Sequence, residues 1–200
     1  MALLTAEGLA CERGGRMVFS GVGFALAGGQ LLDVTGPNGA GKSSLLRTIA
    51  GLADIASGTL ALEGGSGELT IGQQCHYAAH QEAIKPVLSV VENLKFWGDF
   101  LGGGDVDSAL AAFDLGRLAD FPAALLSAGQ KRRLSLSRLK LVPRLIWLLD
   151  EPHTGLDAAS SERLLGVMRG HLDEGGLIIA ASHVPIGIAS AASVKLAGPA

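Results

Sequence analysis

Charge is scarce in this chain. Only 18% of its 200 residues are Asp, Glu, Lys or Arg, and the mean hydropathy of +0.37 is high for a soluble protein. Many alanines and 29 glycines depress the charged fraction; an apolar partner surface is the other reading. A net charge of −3 and a pI near 5.9 speak against general nucleic-acid binding, which prefers a basic face. Cysteine is scarcer still. Cys11 and Cys75 stand alone, in no metal or haem-attachment spacing, and read as buried or incidental thiols in a reduced cytoplasmic compartment. No apolar run reaches the ~18 residues that a membrane span needs. Met1 to Glu7 lacks a basic start and a long apolar stretch, so no signal peptide is expected. There is no internal repeat and no long disordered tail. The length suits one domain, with room for a subdomain, and 48% apolar residues suffice for a core.

What is present centres on one stretch. Gly36-Pro37-Asn38-Gly39-Ala40-Gly41-Lys42-Ser43 fits the phosphate-binding pattern G-x-x-x-x-G-K-[ST]. Glycines let the backbone curl so that its N–H groups line one concavity sized for phosphate oxygens, where a Cβ would obstruct the turn. A helix opening at Lys42 adds its positive dipole end. Lys42 is expected to reach the β- and γ-phosphates, and the Ser43 hydroxyl to ligate Mg²⁺. Leu31 to Thr35 reads as a buried strand before the loop, and Ser44 to Ala50 as a helix after it, ended by Gly51. A chance match to the pattern is on the order of one in a hundred, even at ordinary glycine usage of about 7%.

Along the chain, Leu3 to Leu9 and Val22 to Leu26 read as antiparallel strands around a turn at Arg13-Gly14-Gly15-Arg16. Gly28-Gly29 reads as a hairpin-like turn into the loop strand. Thr59 to Leu62 is another short strand, and Gly64 to Gly67 a flexible turn. A strand is expected to run from His76 to Gln81. After an irregular stretch around Pro86, Ser89 caps a helix to Trp97, with Glu92 completing a capping box, and Asp105 caps a second from Val106 to Phe113. Leu126-Ser127-Ala128-Gly129-Gln130 opens a third, with Ser127 or Gly129 at an N-terminus that suits an anion. Its Lys131-Arg132-Arg133 reads equally as an electrostatic patch or a solvated face. Residues 86–140 are thus helix-rich between strand-rich flanks, a candidate helical subdomain.

Leu145-Ile146-Trp147-Leu148-Leu149-Asp150-Glu151 is an unbroken apolar run ending in two carboxylates. Such a run suits a central parallel strand covered on both faces, and its C-terminal end is where open α/β sheets bind ligands. Asp150 is placed to hold Mg²⁺ through water, and Glu151 to orient or deprotonate the attacking water. An Asp-Glu pair alone would read as a surface turn before Pro152. Thr154 to Asp157 turns into a helix from Ala158 to Leu172. Leu177 to Ser182 is a second buried strand, with His183 at its end, where it can contact a γ-phosphate. Val194 to Leu196 is a last short strand.

This order of motifs over almost the whole chain resembles the ATPase subunit of ABC transporters. Leu-Ser-Ala-Gly-Gln at 126–130 is similar to that family's signature, with Ala128 in place of a second glycine. The resemblance implies an α/β fold: a P-loop NTPase (RecA-like) core at 1–85 and 141–200, an antiparallel β subdomain, and the helical subdomain at 86–140, all within one domain at 1–200. It implies ATP and Mg²⁺ as cofactors and hydrolysis to ADP and phosphate. Glu151 acts on water, Gln81 and His183 sense the γ-phosphate, and Ser43, Gln81 and Asp150 serve the metal. Gly36 to Ser43, Ser44, Ser127, Gly129, Gln130 and Asp157 hold nucleotide. It also implies a head-to-tail dimer with a second copy, each ATP lying between one P-loop and the other signature. Integral membrane subunits are implied as partners, at the cytoplasmic face of the inner membrane. The shortness, the basic signature flank and His80-Gln81 ahead of Ile84-Lys85 look most like the branch serving cytochrome c biogenesis, the haem exporters. No nucleic acid and no direct haem contact are expected. One departure stands out: the register places Arg13 where the family's adenine-stacking aromatic lies, with Phe19 further along. A guanidinium can stack on a π face. A soluble ABC ATPase without transport, and a module that dimerises on ATP without hydrolysis, are the alternatives.

Overall fold

Residues 1–197 are described by a computed structural model. They form two compact units. The first comprises Met1–Ala79, Leu145–Pro152 and the chain from Met168 onward; the second comprises His80–Arg144 and His153–Val167.

The first unit holds two sheets. β1 (Leu3–Arg13) pairs antiparallel with β2 (Arg16–Ala27) on one side and with β4 (Ser57–Glu63) on the other. β3 (Leu31–Thr35), β5 (Cys75–Ala78), β6 (Ile146–Asp150), β7 (Leu177–Ala181) and β8 (Ala192–Lys195) form a parallel sheet in the order β5-β6-β7-β3-β8. Every residue of β6 and β7 is buried, as unbroken apolar runs in a two-face-covered parallel sheet require. α1 (Lys42–Ile49) packs on β1, β6 and β7. Its Leu45, Leu46 and Ile49 join Leu4, Leu9, Leu26, Leu32, Val34, Leu148 and Ile179 in one core.

Three expectations need correction. Gly28-Gly29 closes no hairpin, because β2 and β3 belong to different sheets; the turn moves the chain from one layer to the other. The turn at 64–67 is not loose. The Gln74 amide accepts from Ser66 N and donates to the carbonyls of Ser66, Leu69 and Thr70, which ties the loop down. The strand from His76 stops at Ala78, where its pairing to β6 ends at Leu149, so Gln81 lies beyond it in a bend.

In the second unit, α2 (Val90–Leu101) starts at a Ser89–Glu92 capping box and ends at Gly102, φ +93°. α3 (Val106–Ala112) is capped by Asp105, and α4 (Ala128–Leu141) by a Ser127–Gln130 box. α5 (Ala158–Asp173) begins here, and its last turns count with the first unit. Buried Asn93 accepts from Lys85 N and donates to the carbonyls of Lys85, Leu88 and Ser89, which shapes the irregular entry to α2. Phe96 and Phe100 are exposed and flank half-buried Trp97 edge-on. Lys85 lies over Phe96 and Arg138 over Trp97, so neither ring fills the core as a plain apolar side chain.

Candidate nucleotide site

The loop at 36–41 joins β3 to α1. Gly36 has φ +143°, and a Cβ there would run into the Leu196 carbonyl oxygen. Gly41 has φ +97°, and a Cβ there would lie 2.9 Å from Val18 Cγ1. Both positions need glycine for conformation and for room. Gly41 is also the N-cap of α1 and offers no side-chain acceptor to its first N–H groups. Those donors and the helix dipole are therefore turned to whatever occupies the loop, the arrangement suited to an anion. Lys42 is 8% exposed, and its ammonium donates to Gly36 O at 2.8 Å and Pro37 O at 3.1 Å. Its charge is thus held over the loop without a carboxylate partner in these contacts. Ser43 and Ser44 follow, half-buried.

Two carboxylates come from the end of β6. Asp150 is 4% exposed and pairs in register with Ala181 of β7. The Tyr77 hydroxyl donates to its Oδ2 at 3.4 Å. Burial raises the Tyr77 phenol from its usual value, against the lowering by the Arg47 guanidinium, and the Asp150 charge raises it further; the phenol keeps its proton at neutral pH. Glu151 takes φ +48°, uncommon for a residue with a side chain. Its N–H bonds Ala181 O at 2.8 Å. Its Oε2 lies 2.8 Å from His183 Nδ1, with the Glu151 side chain 18% exposed and that of His183 63%. An ionised carboxylate only accepts, so Nδ1 carries the proton in this pair.

The first unit therefore holds the loop, Ser43, Ser44, Asp150, Glu151 and His183. Asp150 and Ser43 are oxygen donors. Among the described residues no three His, Cys, Asp or Glu converge as a metal cage. A donor set of one carboxylate and one hydroxyl, completed by phosphate and water, fits Mg²⁺ rather than an ion bound wholly by protein.

Arg13 is exposed at the end of β1. It lines a depression of about 380 Å³ with Glu12, Ser44, Arg47, Leu52, Ala53 and Asp54, so the alternative to the missing aromatic lies beside the loop helix. Phe19, the fallback for stacking, is 7% exposed and belongs to the core.

The remaining expected residues belong to the second unit. Gln81 is exposed. Ser127 Oγ accepts from Gln130 N at 3.3 Å, and Gln130 Oε1 accepts from Ser127 N at 2.8 Å. A Cβ on Gly129 would stand 3.2 Å from Gly155 O. Asp157 Oδ1 accepts from Ser160 N at 2.7 Å and caps α5. That bond holds the exposed Asp157 carboxyl below its usual range. Sequence reading passed over Tyr77 and Arg47. The available signal was a single tyrosine in a short strand beside an acidic one.

Comparison with known proteins agrees with this geometry. A family model described as ABC transporter matches residues 19–154. The chain is 53% identical over 199 residues to the cytochrome c biogenesis ATP-binding export protein CcmA of Nitrobacter winogradskyi, covering 98% of this chain and 99% of that one. It is 55% identical to the protein of the same name from Bradyrhizobium diazoefficiens, covering 94% of each. Among solved structures, an ATP-binding subunit of an ABC transporter superposes with a TM-score of 0.81 at 25% identity, over 91% of this chain and 80% of that one. A putative ABC transporter ATP-binding protein from Pyrococcus furiosus gives 0.81 at 22% identity, over 97% of each.

Proposed function

The chain belongs to the ABC transporter family of ATP-binding proteins, and from that premise we propose that it is the ATP-hydrolysing subunit of an exporter serving cytochrome c biogenesis. The relatives that carry that name match it at 53% and 55% identity over nearly their whole length. In this reading the chain works peripherally, at the cytoplasmic face of the inner membrane, with integral membrane subunits and a second copy of itself. No helix among the described residues is long and apolar enough to cross a membrane, so the route across is assigned to those subunits.

The observation that carries hydrolysis is Glu151. It follows the buried Asp150, its backbone is held at φ +48°, and its Oε2 is fixed 2.8 Å from His183. The loop N–H groups and Lys42 bind the β- and γ-phosphates. Ser43 and Asp150 would hold Mg²⁺, which would supply charge neutralisation for the transferring phosphoryl group. Glu151 orients and polarises the attacking water. His183 holds the Glu151 carboxylate in position and contacts the γ-phosphate. Ser127, Gly129, Gln130 and Asp157 are assigned to the second copy's nucleotide. Such catalysis is mostly positioning and electrostatics. The test is phosphate release from ATP by the purified chain, alone and with the membrane subunits that co-purify with it. ATP-dependent dimerisation with no phosphate release in either setting would replace this reading with that of a dimerising module.

A further inference from the structure

One residue outside the assigned set contacts it. Tyr77 lies opposite Leu148 in the parallel register of β5 and β6. Side chains two residues apart on a strand share a face, so Tyr77, Leu148 and Asp150 lie on one side of the sheet. Leu148 is in the core that includes α1, and Tyr77 packs against that core. Tyr77 donates its proton to Asp150 Oδ2 at 3.4 Å.

We propose that Tyr77 is a positioning residue that fixes the rotation of the Asp150 carboxylate, the β6 ligand of Mg²⁺. This rests on the reading of Asp150 as a metal ligand. Asp150 is the last residue of β6 and pairs with Ala181, so its backbone is held while its carboxylate can still turn about the side-chain bonds. Anchoring Oδ2 sets how the carboxylate meets the metal or its water. Outer partners of this kind usually change metal affinity or activity about 10- to 100-fold.

The experiment measures Mn²⁺, as a paramagnetic substitute for Mg²⁺, bound with ATP to the whole chain, by the loss of the free-ion resonance. ATP affinity in EDTA is measured beside it. Tyr77→Phe keeps the ring and removes only the donor. It should weaken Mn²⁺ retention about tenfold and leave ATP affinity in EDTA near wild type. Asp150→Asn separates the two levels of inference. If it weakens Mn²⁺ while Tyr77→Phe retains the ion like wild type, the positioning role is overturned and the ligand assignment stands. If Asp150→Asn also leaves Mn²⁺ unchanged, the ligand assignment falls and the positioning role with it. Should Tyr77→Phe lose its fold by circular dichroism, Tyr77→Met, which also lacks the donor, decides: wild-type retention of Mn²⁺ there overturns the proposal.

Discussion

Glu151 is one of two non-glycine residues with positive φ among the described residues, and it follows directly on the buried Asp150. Backbone strain at such a position costs on the order of 1–3 kcal/mol and persists where surrounding bonds determine it. Here the determinants are Ala181 O on the Glu151 N–H and His183 Nδ1 on its carboxylate. Glu151→Gln keeps the shape and one oxygen to accept from His183, so the local backbone and ATP binding should survive. It removes the charge that polarises water, and phosphate release should fall about 10²- to 10⁴-fold, the usual size of a general-base contribution. Near-wild-type release would remove Glu151 from the catalytic role. Arg13 gives a milder expectation. It is exposed beside Ser44 and Arg47, and a solvated cation–π contact is weak. Arg13→Ala should raise the ATP dissociation constant about two- to fivefold, and Arg13→Tyr should restore it, by equilibrium binding. No change in either variant would move the base contact away from the end of β1, and not to Phe19, which is in the core.

At the start of α4 a structural role and a proposed functional one fall on the same residue. Ser127 and Gln130 satisfy each other's backbone N–H groups, so the stretch assigned to a second nucleotide is also a helix start. Ser127→Ala should cost about 1 kcal/mol of stability, or ~2–4 °C in a thermal melt of a chain this size. An unchanged melt would mean that the exposed N–H groups are met equally well by water. The caps Ser89 and Asp105 were legible because a cap is a local pattern, acceptor then partner three residues on; for α4 the sequence left Ser127 and Gly129 as alternatives, and Ser127 is the cap. The strand–loop–helix of the phosphate cradle was legible for the same reason, and the buried runs of β6 and β7 because two covered faces leave no polar alternation. What the sequence hid depends on partners far along the chain. The end of β5 is set by where β6 stops pairing with it. The loop at 64–67 is ordered by Gln74, a polar residue in no motif. Tyr77 meets Asp150 across 73 positions, and no spacing rule reaches that far.

At the scale of the molecule, the phosphate loop with Asp150, Glu151 and His183 belongs to one compact unit, and Ser127, Gly129 and Gln130 belong to the other. In the proposed reading one copy carries two half-sites, and the dimer completes each with the half-site of its neighbour. A symmetric pair of this kind contains each composite site twice. Mixing two damaged copies tests this. Lys42→Ala removes the charge over the phosphates but keeps the 126–130 stretch. Ser127→Arg places a bulky cation in that stretch but keeps Lys42. Each variant alone should be nearly inactive. Random pairing makes about half of the dimers mixed, each with one of its two sites built entirely from intact halves, so the mixture should recover roughly a quarter of wild-type phosphate release. If the 126–130 stretch served its own chain's nucleotide, no chain in the mixture would hold an intact site, and no activity would return. Ser127→Arg should also bind ATP about as well as wild type when monomeric, since the phosphate loop lies in the other unit; a loss of binding that parallels the loss of turnover would favour the single-chain site. Ser127→Ala shares the missing cap but not the added charge, so its activity shows how much of the Ser127→Arg defect comes from the helix start alone.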